Sequence, residues 1–195
     1  SMYLSGSIHK YYNHLRNIKA PNQTTKEDIK KGFNGNSFNY TQLCSVLKNI
    51  ERNFKINLQE SIIRNIEFGI NITHTYSTEK ILENLMLHRG KEFRKPLKTT
   101  YREVEHYQYR IKCYDKKLQY GLLKTTMRYE LKYNKMEQVN KLGVRYLSDL
   151  LLKQNLDNAK EELISKWSEI ILYDYTIAED LLNSKEIEQV LKFNN

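Results

Sequence analysis

Polar and apolar residues alternate with a period of two in three stretches of the chain, and these stretches predict its central sheet. Within 105–117, Tyr107, Tyr109, Ile111 and Cys113 share one face, while His106, Gln108, Arg110, Lys112 and Tyr114 share the other. Within 62–72, Ile62, Ile66, Phe68, Ile70 and Ile72 oppose Asn65, Glu67, Gly69 and Asn71. Within 126–133, Met127, Tyr129, Leu131 and Tyr133 oppose Thr126, Arg128, Glu130 and Lys132. Such alternation marks strands with one buried face. The second face carries an imidazole, an amide, cations, carboxylates and a phenol, richer chemistry than a solvated strand face usually shows.

Helical spacing takes over elsewhere. Leu43, Val46, Leu47, Ile50 and Phe54 predict a helix opening at Asn39 or Tyr40 and ending before Asn57. Ser77 and Thr78 cap a second helix, with Ile81, Leu82, Leu85 and Met86, running to about His88. Met136, Val139 and Leu142 predict a helix closed by Gly143. Further helices are expected over 146–152, 159–173 and 184–193. The β-formers around Gly6 predict a bent strand over 3–12. Residues 13–39 lack a period and read as a long loop with a short helical turn near 25–31, and loops of that length are usually functional or mobile. A turn is expected over 118–124, around Gly121. The fold class that follows is α+β: a mainly antiparallel sheet of four or five strands, helices on one face and a helical C-terminus.

Charge divides the chain into two parts. Residues 1–155 hold 28 Lys and Arg against 14 Asp and Glu; residues 156–195 hold 4 against 9. A basic domain over 1–155 with an acidic helical extension over 156–195 packed on it suits a polyanionic partner. Abundant Lys, Asn, Ile and Tyr would also follow from an AT-rich genome. Cys44 and Cys113 both fall at expected core positions and read as small buried hydrophobes, which favours a reducing compartment. No run approaches the ~18 apolar residues of a membrane span. A soluble protein of the bacterial cytoplasm is expected.

Two groups of residues suggest chemistry. Between His88 and Arg102 lie Arg89, Lys91, Arg94, Lys95, Lys98 and Arg102, with Phe93 and Tyr101 interleaved. Cations beside aromatic rings suit phosphate contact and base stacking, and Arg110, Lys116 and Lys132 extend the basic surface. On the polar strand faces, Glu67, Glu130, His106 and Gln108 could converge on Mg²⁺ or Mn²⁺ if their strands are neighbours. Tyr114 would then serve as nucleophile toward a phosphodiester, with Lys112 and Arg128 stabilising charge. The alternative is a solvated face of cross-strand ion pairs, such as Glu130 with Arg110 or Lys112.

The runs Ile66-Glu67-Phe68-Gly69-Ile70-Asn71, Tyr109-Arg110-Ile111-Lys112-Cys113-Tyr114-Asp115-Lys116 and Met127-Arg128-Tyr129-Glu130-Leu131-Lys132 resemble rolling-circle replication initiators of the plasmid Rep_trans and filamentous-phage gene II types. The opening Leu4-Ser5-Gly6-Ser7-Ile8-His9-Lys10 and the run 146–151 are also similar. The resemblance implies a protein of a phage or mobile element that nicks single-stranded DNA with a tyrosine and a divalent metal. It implies Tyr114 as nucleophile, Glu67 and Glu130 as metal ligands, and Lys112 and Arg128 as charge stabilisers. His106-Tyr107-Gln108 also resembles the metal motif of the wider HUH endonuclease group. Because such initiators carry sequence ahead of the Gly-Ser-x-x-Lys region, a shortened member is expected here. It would bind nucleic acid, DNA rather than RNA, or capture a host nucleoprotein complex as an anti-CRISPR type of inhibitor.

Overall fold

The computed structural model describes residues 3–95, 100–173 and 183–185. Its centre is a four-stranded antiparallel sheet of β1 (Ile66–Thr73), β4 (Tyr101–Glu105), β5 (Tyr109–Asp115) and β6 (Thr126–Tyr133), in the order β1-β6-β5-β4. A smaller antiparallel sheet has the order β3-β2-β7, from β2 (Leu85–His88), β3 (Lys91–Glu92) and β7 (Ile170–Leu172). An Arg94–Glu103 bridge joins the two. The α+β expectation holds. The helices are α1 (Ile8–Leu15), α2 (Lys26–Lys30), α3 (Tyr40–Phe54), α4 (Thr78–Glu83), α5 (Lys116–Tyr120), α6 (Met136–Lys141) and α7 (Lys153–Ser168), with a 3₁₀ turn at Leu147–Leu151.

Alternation sets the faces of the large sheet. Ile111, Tyr129, Leu131 and Tyr133 are buried on one side, and α4 and α7 pack against that sheet. From α7, Trp167 meets the Tyr129 ring edge-on at 5.1 Å, and the Tyr129 hydroxyl donates to the Leu163 carbonyl at 3.2 Å. This part of the acidic extension therefore belongs to the main core. The expected 184–193 helix falls largely outside the described residues. Cys113 is fully buried, and burial raises its thiol pKa; Cys44 is half-buried, and both are free. Among the described residues no helix is long and apolar enough to cross a membrane.

Several expectations need correction, among them the turn over 118–124, where Lys116–Tyr120 is helix α5 and Gly121 its cap. Residues 8–15 are helical, not strand: Ser7 caps the Lys10 amide, and Ile8, Tyr11, Tyr12 and Leu15 recur at helical spacing. The helix begun at Ser77 stops at Glu83, and Leu85–His88 becomes β2. Arg89 and Gly90, at φ +50° and +74°, make the two-residue turn into β3, as tight hairpins require. The helix expected over 159–173 starts earlier, ends at Ser168, and gives way to β7. Residues 106–108 form the β4–β5 turn rather than strand, and Tyr107 is 77% exposed there. By contrast, α3 opens with a full capping box between Asn39 and Gln42, and its main neighbours are α1 and the 3₁₀ turn.

Candidate functional site

Strand register builds the polar face in three cross-strand rows. The first runs Glu67, Lys132, Arg110, Glu105; the second Gly69, Glu130, Lys112, Glu103; the third Asn71, Arg128, Tyr114, Tyr101. Four cations meet four carboxylates, and the geometry pairs them. Lys112 Nζ lies 2.7 Å from Glu67 Oε1 and 3.8 Å from Glu130 Oε2. Arg128 Nε donates to Glu130 Oε1 at 2.9 Å and its Nη1 to Asn71 Oδ1 at 3.2 Å. Arg110 spans Glu103 at 3.3 Å and Glu105 at 2.7 Å, and Lys132 lies 3.8 Å from Glu67. Gly69 makes room for this lattice: a Cβ there would come within 2.6 Å of Glu130 Cγ and 2.9 Å of an Arg128 nitrogen. The face is neutral as a whole.

Tyr114, Lys112 and Arg128 are thus brought together on one face, as the sequence reading required. Tyr114 is half-buried, and burial followed by the Glu130 carboxylate raises its pKa, so the neutral phenol is favoured. The expected metal set is not assembled. Glu67 and Glu130 are held by Lys112, Lys132 and Arg128, whereas His106 and Gln108 sit at the β4–β5 turn. Gln108 donates to Glu137 at 3.2 Å; His106 Nε2 lies 2.8 Å from His88 Nδ1. Among the described residues no group of three His, Cys, Asp or Glu side chains could hold a metal ion.

His88 is fully buried, with Nε2 3.2 Å from Glu169 Oε2. That contact lacks hydrogen-bond geometry, so among the described residues Nε2 has no hydrogen-bond partner, while Nδ1 and His106 Nε2 share one hydrogen bond whose direction follows the tautomer. Burial, with His106 beside it, lowers the His88 pKa to about 4. These imidazoles hold β2, the β4–β5 turn and the end of α7 together.

The cations expected to contact phosphate are scattered. Arg89 is engaged bidentately by Glu169, and Lys91 Nζ donates to the Glu105 carbonyl at 3.1 Å. Arg94 and Lys95 are exposed, and Lys98 lies outside the described residues. Arg102 is buried, its Nη1 donating to the Tyr101 carbonyl at 2.9 Å, and Lys116 is buried too. Those two do not form part of an exposed basic surface.

The positive charge is concentrated elsewhere, in a lobe formed by residues 8–36 and 115–125. Ala20, Phe33 and Tyr120 form a second small core, with Phe33 edge-on to Tyr120 at 4.9 Å. Asn22 binds the Gln119 and Tyr120 carbonyls, closing the two segments against each other. Lys116 anchors the interior. Its Nζ donates to Asn34 Oδ1 at 2.7 Å and lies 4.9 and 4.7 Å from the Tyr114 and Tyr120 ring centres. Burial, then Arg128, lowers its pKa to about 7. The lobe is tied to the sheet by the Asn71 amide, which reaches the Asn34 and Asn36 carbonyls at 3.2 and 3.3 Å.

This lobe carries Lys10, Arg16, Lys19, Lys26, Lys30, Lys31, Lys116, Lys117 and Lys124 against Glu27, Asp28 and Asp115. Among the described residues Lys31–Asp28, at 2.8 Å, is its ion pair. Sequence reading missed it because residues 13–39 have no period; the signal was the run of Lys without matching acids. No family model, no curated protein and no solved structure matches the chain.

Proposed function

We propose that the protein binds nucleic acid, DNA in preference to RNA, through the basic lobe rather than through the polar sheet face. The observation that carries this is the contrast in charge compensation. Leaving out the buried Lys116, eight cations meet three carboxylates in the lobe, while four meet four on the sheet. Unpaired Lys and Arg release counterions when they meet a phosphate backbone, whereas cations already held by carboxylates must first give up those partners. The resemblance to rolling-circle initiators supports a phage or mobile-element setting and a DNA partner. A host nucleoprotein complex would present the same phosphate chemistry.

Fluorescence anisotropy with labelled single-stranded DNA and RNA, across a salt series, tests the reading. Affinity should fall steeply with salt for wild type, and Lys19→Glu with Lys26→Glu should weaken binding and flatten the slope. Binding unaffected by those reversals would move the interface off the lobe.

A second reading, nicking by Tyr114, is favoured by one observation: the tyrosine shares a row with Arg128 and lies under the Lys116 ammonium. Incubation of single-stranded DNA with Mn²⁺ and a denaturing gel decides it. A covalent adduct lost in Tyr114→Phe would establish an initiator nuclease; binding without cleavage would leave the non-catalytic reading.

A further inference from the structure

A cavity of about 230 Å³ opens in the lobe between α1, the 22–32 segment and α5, lined by Lys10, Asn22, Asp28, Lys31, Gln119 and Tyr120. It is smaller than the roughly 300 Å³ at which drug-sized sites begin. That volume suits a small anionic group with part of what it is attached to.

The lining has the donors such a group needs. Lys10 is half-buried, and its Nζ donates to the Lys31 carbonyl at 2.8 Å. No carboxylate pairs with it among the described residues. Burial lowers its pKa, with the more distant Glu130 opposing that shift. An ammonium held in this way keeps two N–H donors for an incoming oxygen. Asn22 uses its amide on the Gln119 carbonyl at 3.0 Å and has a second N–H to spare. Asp28 is the one carboxylate present, and it is occupied by Lys31 and by the Thr25 hydroxyl, both at 2.8 Å.

The walls are held rigidly. Gln23, itself buried, bonds the Ala20 amide and the Asp28 and Gly32 carbonyls. Gly32 and Gly121 both take left-handed backbone, at φ +70° and +66°. A Cβ on them would come 3.1 Å from the Lys10 stem and 3.2 Å from Asn22 Cβ. Glycine at both places is what allows the lysine and the asparagine to stand so close to the opposite wall.

We infer that this cavity is a phosphate subsite in which Lys10 and Asn22 bind one phosphodiester of a nucleic-acid strand laid across the lobe. The inference rests on the nucleic-acid reading for its ligand, and free phosphate shares the same chemistry.

The test uses the full chain, wild type and Lys10→Met, which keeps the aliphatic stem that Gly32 packs on. Two probes are used: a labelled single-stranded oligonucleotide over a salt series, and millimolar inorganic phosphate read by thermal shift against a sulfate-free buffer. Far-UV circular dichroism and the melting temperature verify that Lys10→Met folds. The expected result is a three- to tenfold loss of oligonucleotide affinity in the variant, a salt slope lower by about one contact, and a phosphate-dependent rise in Tm seen only in wild type. Oligonucleotide binding with the same affinity and slope in both proteins would overturn the subsite while leaving the nucleic-acid reading intact. A phosphate effect confined to wild type without oligonucleotide binding would keep the site, assign it to free phosphate, and sink the nucleic-acid reading alone. No response of wild type to either probe would overturn both.

Discussion

The polar face of the large sheet and the lobe beside it are both rich in Lys and Arg, yet they dispose of charge in opposite ways. On the sheet, strands 4.7–4.9 Å apart place alternate residues side by side. Glutamates from β1, β4 and β6 thereby fall opposite cations from β5 and β6, and the ion pairs neutralise one another. In the lobe, short helices and loops carry cations outward with few acids near them. A count of basic residues does not distinguish these cases. What separates them is whether the backbone brings a carboxylate within reach.

That contrast is broken most directly by removing a shared carboxylate. Glu130 is 5% exposed and holds Arg128 while facing Lys112. Glu130→Ala should cost roughly 3–5 kcal/mol, the range for leaving buried charge unpaired, read as a lower urea midpoint. A loss below about 1 kcal/mol would make the lattice equivalent to exposed surface pairs.

Lys116 gives the next effect, visible in pH dependence. Its folded pKa of about 7 lies below the ordinary lysine value of 10.5, so between those values the unfolded chain binds more protons. Stability should therefore rise with pH from about 7 to 10.5 by something on the order of 2–4 kcal/mol at full extent. Lys116→Met should lose that rise. Denaturant melts at pH 7 and 10 on both proteins measure it, and an equal rise in both would show that the lysine titrates normally.

Gly69→Ala sharpens the comparison from the other side, since it changes no charge. The added methyl collides with Glu130 and Arg128, and about 1–3 kcal/mol of destabilisation is expected from the overpacking. Paired with Glu130→Ala, the two effects should fall short of additive, because Glu130 is part of both. The smallest effect on stability belongs to the lobe. Lys19→Glu with Lys26→Glu should stay within about 0.5 kcal/mol of wild type, as exposed substitutions do, while nucleic-acid affinity falls.

Much of this molecule was legible in the amino-acid sequence, and the limit falls where local periodicity stops. Strand β6 was expected at its observed bounds, because eight residues alternate without interruption between turn signals. Helix α3 was equally clear from its cap and stripe. Tyr114, Lys112 and Arg128 were placed on one face by parity alone, since a period of two assigns faces once strands are in register. The cross-strand pairing of Glu130 with Lys112 was one of the two alternatives that the same parity allowed.

Other features depended on contacts distant in sequence. Strands β2 and β7 carry short apolar runs that fit a helix end as well as a strand, and only their pairing, Leu87 with Ile171 and His88 with Ile170, decides between them. Because β4 went unrecognised, Glu103 and Glu105, which hold Arg110, were missing from the polar face. His106 and Gln108 left that face when residues 106–108 became a turn. Lys116 looked like a surface cation until Asn34, 82 positions earlier, supplied its partner. The sequence by itself determined which stretches carry a buried face and how the chain's charge is divided. Tertiary structure decided which charges are neutralised and which side chains are desolvated, because both depend on neighbours that sequence spacing does not specify.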